Sequence, residues 1–250
     1  MPKIPHQNRW AEGREGSNED GDGPSRRSRL LPRGLGMFAV KRFIALRLAL
    51  SVAMGLGALL PRAVAAEGAE TETIVLVRHG EKPALGLGQL NCQGLNRALA
   101  LPDVIGKKFG RPDAIFAPDP AQMKEDLGQL YNYVRLLATI EPTAIVFGVP
   151  IDASIGFSNL DALRQRLELP TYRSALLLVA WEHAAIVQVT RHLIADHGGD
   201  PAVVPDWKGV DFDSIYVVRI TRTGAEAAVK FELLHEGLDG QPEVCPALST

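Results

Sequence analysis

An arginine and a histidine stand together at the end of a short apolar segment. Residues 74–77 are Ile-Val-Leu-Val, and Arg78, His79 and Gly80 follow directly. A neutral imidazole nitrogen is able to attack phosphorus, and the planar guanidinium group of arginine donates several hydrogen bonds to phosphate oxygens. Gly80 allows the chain to bend, so that both side chains reach one ligand. The tripeptide predicts phosphoryl chemistry, with a surface histidine at a strand end as the alternative.

The elements around this histidine follow from hydrophobic periodicity. Strands are predicted at 73–78, 113–117, 175–180, 214–220 and 229–234, and helices at 92–109, 127–140, 160–169 and 183–197. This order predicts an α/β fold, a three-layer sandwich with a mainly parallel central sheet and helices on both faces. The turn sequence at 221–224 predicts that the last two strands are antiparallel. Ligands of such sheets bind at the carboxyl ends of the strands, where residues 78–80 lie.

Five segments resemble, in order, those of the histidine phosphatase superfamily, the phosphoglycerate mutase-like proteins. They are 75–83, 90–99, 113–120, 133–139 and 176–183. Residues 181–183, Trp-Glu-His, and the cysteine at position 92 resemble a bacterial, often exported, subgroup. The sequence Ala-Pro-Asp-Pro at 117–120 and Leu136 depart from the family's pattern. Because of these departures, the sequence does not identify the residues at the pocket rim or the substrate.

The resemblance implies roles for several charged residues of these segments. It implies that His79 is the nucleophile of a phosphomonoester hydrolase and that Arg78, Arg135 and His183 bind the phosphate. A carboxylic acid must protonate the leaving oxygen; Glu182 is the leading candidate, with Glu141 and Asp152 as alternatives. No metal and no cofactor are expected, because fixed positive groups would stabilise the transition state.

Composition is ordinary for a soluble globular protein. The chain has 250 residues, of which 46% are hydrophobic and 22% charged, with a net charge of −2. Such a charge creates no basic field for nucleic acid. The expected partner is a phosphorylated small molecule or a phosphorylated surface substrate.

The first 65 residues differ from the rest. Residues 1–36 are rich in Gly, Ser, Pro and charge, which predicts a disordered extension, or a mis-assigned start that belongs at Met37. Residues 37–65 have basic residues, an uncharged apolar run at 48–60 and Ala-Val-Ala at 63–65, typical of a secretory signal peptide. A twin-arginine signal and an uncleaved anchor are alternatives. The enzyme domain is predicted at 66–250, periplasmic or secreted, or membrane-anchored if the signal is uncleaved.

Both cysteines of the chain lie in the predicted domain. Cys92 and Cys245 are far apart in sequence and form no Cys-x-x-Cys motif, so a zinc site is disfavoured. An oxidising compartment favours a disulfide between them, with a reactive thiol as the alternative.

Two other functions fit some of the same residues. His79, Glu81, Glu182 and His183 are potential metal ligands, which would make the protein a metal-dependent hydrolase. A binding module that keeps the phosphate pocket without turnover is the second alternative. The sequence favours a metal-independent phosphomonoester hydrolase with a phosphohistidine intermediate.

Overall fold

The computed structural model describes residues 68–247. Its eight strands are β1 (Glu70–Arg78), β2 (Ala114–Pro118), β3 (Met123–Asp126), β4 (Gln129–Asn132), β5 (Ile151–Ile155), β6 (Leu176–Trp181), β7 (Ser214–Thr223) and β8 (Glu226–His235). Its four α-helices are α1 (Cys92–Lys108), α2 (Arg135–Phe147), α3 (Leu160–Leu167) and α4 (His183–Asp196). The predicted N-terminal extension and signal peptide lie outside the described residues. No helix within 68–247 is long and apolar enough to cross a membrane.

Six strands form the central sheet, in the order β5-β2-β6-β1-β7-β8. The first four are mutually parallel, and β7 and β8 pair antiparallel. Alternate residues of β1 enter two separate cores: Ile74 packs in a cluster that includes α3 and α4, and Val75 packs in one that includes α1 and α2. The predicted three-layer α/β fold is therefore confirmed, as is the antiparallel final pair.

Two regions differ from the predicted elements. The helix predicted at 127–140 is wrong at its start, because Leu127 and Gly128 have φ values of 53° and 79° and form the turn of the β3–β4 hairpin. Helix α2 begins only at Arg135, and Gly148, whose φ of 61° lies in the left-handed region, follows its last residue as the C-cap. Strand β5, at the sheet edge, was not predicted.

The C-terminal tail returns to helix α1. Cys92, the first residue of α1, forms a disulfide with Cys245, as predicted. One turn further along, the side-chain amide of Asn96 donates hydrogen bonds of 2.8 and 2.9 Å to the carbonyl groups of Pro242 and Val244. The tail is thus fixed to the helix that follows the Arg-His-Gly loop.

Candidate active site

His79 begins the loop after β1 and is almost completely buried, with 4% exposure. Its Nδ1 lies 2.8 Å from the carbonyl oxygen of Gly80. Because a carbonyl oxygen only accepts, Nδ1 carries the proton and Nε2 keeps its lone pair. Burial, assisted by Arg78 and Arg135, lowers the pKa of His79 to about 3 despite this hydrogen bond. The imidazole is therefore neutral near pH 7, as a nucleophile must be.

Two helices hold this loop through backbone contacts. The amide of Gly80 donates a 3.0 Å hydrogen bond to Thr139 Oγ1 on α2, and that hydroxyl donates to the carbonyl of Arg135. On the other side the loop touches Gly94 of α1, where a Cβ would lie 2.3 Å from the carbonyl oxygen of Glu81. The nucleophile and the second arginine are thereby positioned relative to each other.

Arg78, the last residue of β1, is held by the segment before β7. Its Nη1 donates to the carbonyls of Gly209 and Asp211 at 2.8 and 2.7 Å, and its guanidinium lies 3.9 Å above the ring of Phe212. The backbone contacts fix the orientation of the guanidinium. Among residues 68–247, its buried Nε has no hydrogen-bond partner.

Arg135, the first residue of α2, is 3% exposed. It forms an ion pair with Asp126 at the end of β3. Its Nε is likewise without a partner in the described part of the chain. Two buried guanidinium groups with spare donors are what an anion site requires.

Glu182 and His183 join β6 to α4. The carboxylate of Glu182 accepts hydrogen bonds from the amides of Ala184 and Ala185 and so caps the helix. Its other oxygen lies 2.5 Å from Nδ1 of His183. Burial lowers the pKa of His183, against the opposing effect of Glu182. Because β1 and β6 are neighbouring parallel strands, with Arg78 opposite Trp181, both histidines emerge at one edge of the sheet.

These side chains line one cavity of about 110 Å³. That volume is below the roughly 300–1,000 Å³ typical of small-molecule pockets, and it suits a group as small as phosphoryl. The cavity lining comprises Arg78, His79, Lys82, Lys124, Glu125, Asp126, Tyr133, Arg135, Glu182 and His183. All five residues predicted to form the site are thus together.

The other lining residues were missed as site residues. Lys124, Glu125 and Asp126 come from the hairpin that the sequence predicted as loop and helix. Lys124 Nζ lies 4.6 Å above the ring of Tyr133, and burial lowers its pKa. Only Lys82 could have been predicted as a lining residue, because it directly follows the Arg-His-Gly-Glu sequence.

Of the three proposed proton donors, Glu182 alone lines the cavity among the described residues. Glu141 is exposed on α2. Asp152 on β5 forms an ion pair with Arg166. Glu182 also lines a second, adjoining cavity of about 280 Å³, whose walls include Phe157 and Leu160. It therefore stands between the phosphate-sized cavity and a roomier space.

Glu81, one of the four residues considered as metal ligands, is engaged outside the cavity. The carboxylate of Glu81 accepts three hydrogen bonds from Arg97, between 2.8 and 3.1 Å. Within residues 68–247 no cluster of three or more His, Cys, Asp or Glu side chains is arranged to hold a metal ion. Four cationic side chains and three carboxylates line the cavity, and the excess of positive charge favours an anion.

Comparison with known proteins gives structural matches alone. No family model and no curated protein sequence matches the chain. A solved structure of a candidate phosphohistidine phosphatase SixA from Nakamurella multipartitia is 16% identical, with a TM-score of 0.45, and covers 66% of this chain and 96% of its own. One from Agrobacterium tumefaciens is 17% identical, with a TM-score of 0.42, and covers 65% and 97%.

A third match is mycobacterial glucosyl-3-phosphoglycerate phosphatase in complex with inorganic phosphate. It is 16% identical, with a TM-score of 0.41, and covers 64% of this chain and 95% of its own.

Proposed function

We propose that this protein is a metal-independent phosphomonoester hydrolase that forms a phosphohistidine at His79. One observation carries the proposal. The hydrogen bond from Nδ1 to the Gly80 carbonyl leaves the lone pair of Nε2 available in a cavity that also contains Arg78 and Arg135. A neutral nucleophile beside two fixed guanidinium groups matches the needs of phosphoryl transfer.

The reaction takes place in two displacement steps. Nε2 of His79 attacks phosphorus, the bond from phosphorus to the alcohol oxygen breaks, and the proton of Glu182 passes to that oxygen. Water then attacks the phosphohistidine, Glu182 takes a proton from this water, and inorganic phosphate leaves with the imidazole restored. Arg78, Arg135 and His183 stabilise the charge on the three non-reacting oxygens.

The adjoining cavity accommodates the alcohol part of the substrate. Lys124 and Glu182 line both cavities, which supports Glu182 as the proton donor to the leaving oxygen. The substrate is a phosphorylated small molecule or a phosphorylated group on a surface. We further propose that the protein is exported, on the strength of the signal-like sequence at residues 37–65.

A phosphate-binding protein without turnover is the second candidate function. One observation favours it: the guanidinium of Arg135 is already paired with Asp126. With Arg135 engaged by Asp126, Arg78 and Lys124 still offer positive charge to an anion, but one of the two guanidinium groups that stabilise the transition state is occupied.

The His79→Ala variant distinguishes the two functions. We expect hydrolysis of phenyl phosphate in EDTA to fall by more than the roughly 10²–10³-fold typical of losing one stabilising donor. His192→Ala is the matched control, because His192 is exposed on α4. Acid-labile, alkali-stable labelling by ³²P in the wild type, lost in His79→Ala, would identify the intermediate. Equal phosphate release by both variants would refute the mechanism, and a wild type that binds phosphate without releasing any would establish the binding protein.

A further inference from the structure

The anion site already contains a carboxylate of the protein itself. Asp126 pairs with Arg135 and accepts a 3.1 Å hydrogen bond from Lys82 Nζ. Its side chain is 11% exposed. The carboxyl group lies directly against Gly86, where a Cβ would be 2.3 Å from the carboxyl carbon. Two cations and one close backbone approach therefore enclose it.

A phosphoryl group bound at His79 needs the same guanidinium. Arg135 is 3% exposed at the start of α2, so its guanidinium meets both Asp126 and the cavity inside the protein. Two anions at one guanidinium edge repel each other strongly. Nε of Arg135 is unpaired among the described residues, but Nη2 is held by Asp126 and becomes a phosphate donor only when Asp126 releases it.

We propose that Asp126 is an intramolecular competitor for the anion site, and that anions bind when the β3–β4 hairpin withdraws this carboxylate from Arg135. This rests on the proposed function for the choice of phosphate as the ligand. Such competition reduces the affinity of every anion by one common factor, the fraction of molecules in which the ion pair is open. It weakens the hold on inorganic phosphate as well as on substrate, which favours product release.

The hairpin is suited to this movement. Among the described residues, β3 and β4 pair with each other and with no strand of the central sheet. Burial would raise the pKa of Asp126, but the hydrogen bonds from Arg135 and Lys82 outweigh it, and the net shift is downwards. The carboxylate is ionised throughout the neutral range, so the competitor is present at every working pH.

The Asp126→Asn variant tests the competition by direct binding. Calorimetric titrations at about pH 8 would use inorganic phosphate, methyl phosphate and methyl sulfate, because the first two are mainly dianions there and methyl sulfate is a monoanion of similar shape. We expect all three to bind about 10- to 100-fold more tightly, the range expected for loss of a charge-assisted hydrogen bond that opposes binding. The factor should be the same for each. Asp103→Asn, an equal charge change at an exposed site on α1, should leave the affinities unchanged.

Repulsion through space gives a different pattern. A carboxylate that merely repels ligands would weaken the binding of dianions more than that of methyl sulfate. A gain in affinity in Asp126→Asn that is larger for the dianions would therefore overturn the proposal. Unchanged affinities would overturn it too. Asp126→Ala provides the same measurement if the Asn variant melts early. If the protein hydrolyses phenyl phosphate but Asp126→Asn does not change its affinity for phosphate, only the competition is refuted. If neither the wild type nor the variant binds phosphate, both proposals are refuted.

Discussion

Two clusters of buried charge lie on either side of the loop that carries His79, and they are opposite in design. In the cavity, Arg78 and Arg135 keep Nε donors that are unpaired within residues 68–247. Behind the loop, Arg97 is 1% exposed and surrounded by carboxylates. Its partners are Glu81, Asp213, Glu236 and Asp239, at 2.8, 3.6, 2.6 and 3.3 Å.

The difference lies in where the donors are directed. The guanidinium groups of the cavity face a space that fits an anion, whereas Arg97 directs its donors at carboxylates that already occupy the space around it. Burial would lower the pKa of Arg97, but these carboxylates outweigh it and raise the pKa. Buried arginines with spare donors thus indicate a binding site, and fully surrounded ones indicate a structural role.

The two clusters are connected through the chain. Glu81 lies two residues after His79, and Asp213 lies two residues after Asp211, whose carbonyl holds Arg78. Arg97 therefore fixes both loops from behind, and its removal should affect the fold before the chemistry.

Removing Arg97 is expected to have the largest effect on stability. Arg97→Met leaves several buried carboxylates without their cation, and the free energy of unfolding should fall by about 3–5 kcal/mol. Urea denaturation followed by circular dichroism measures it. Lys107→Met, on the exposed face of the same helix, should cost under about 1 kcal/mol. A loss that small for Arg97→Met as well would mean that the cluster contributes no more than a surface ion pair.

Removing Arg135 should have the opposite result, a large loss of activity with little loss of stability. Arg135→Gln takes one stabilising donor from the transition state, so kcat/KM for phenyl phosphate should fall about 10²–10³-fold. The urea midpoint should move little, because Asp126 keeps its hydrogen bond from Lys82. A variant that unfolds readily but retains its kcat/KM would reverse the contrast between the clusters.

Removing the disulfide should lower stability moderately and leave the cavity around His79 unaffected. The Cys92→Ser/Cys245→Ser double variant should lose about 2–4 kcal/mol of unfolding free energy. Turnover should persist, because Asn96 and Arg97 still hold the tail. Intact mass under denaturing, non-reducing conditions, with alkylation, should reveal no free thiol in the exported wild type. Two alkylated cysteines there would contradict both the bond and the predicted compartment.

The last contrast is in the pH dependence of stability, where the two clusters differ in sign. His79 has its pKa lowered from 6.5 to about 3, so the unfolded chain takes up a proton that the folded protein does not. Its stability contribution is complete above pH 6.5 and declines as the pH falls towards 3. Burial raises the pKa of Glu236 from 4.5 to about 8. Its contribution is complete below pH 4.5 and is lost as the pH rises towards 8.

Two variants separate these contributions. Urea midpoints recorded across this range should lose the acid-side slope in His79→Ala and the alkaline-side slope in Glu236→Gln. Identical pH profiles for the wild type and both variants would show that neither group has a shifted pKa.

Local sequence determined the parts of the site that depend on neighbouring residues. Arg78, His79 and Gly80 follow an apolar strand, and Glu182 and His183 follow another, so both positions could be predicted from strand ends. The disulfide was likewise expected from the presence of two cysteines. Parallel pairing of β1 and β6 then brings the two histidines to one edge.

Tertiary structure alone decided the rest. Lys124 and Asp126 line the cavity beside Arg135 because Leu127 and Gly128 adopt left-handed conformations that turn the chain into a hairpin. Residue 127 is a leucine, for which that conformation is uncommon. The partners of Arg97 come from positions 81, 213, 236 and 239. Hydrophobic periodicity reports which face of an element is buried; it contains no information about which distant charges meet behind that face, since this is set by the packing of separate elements.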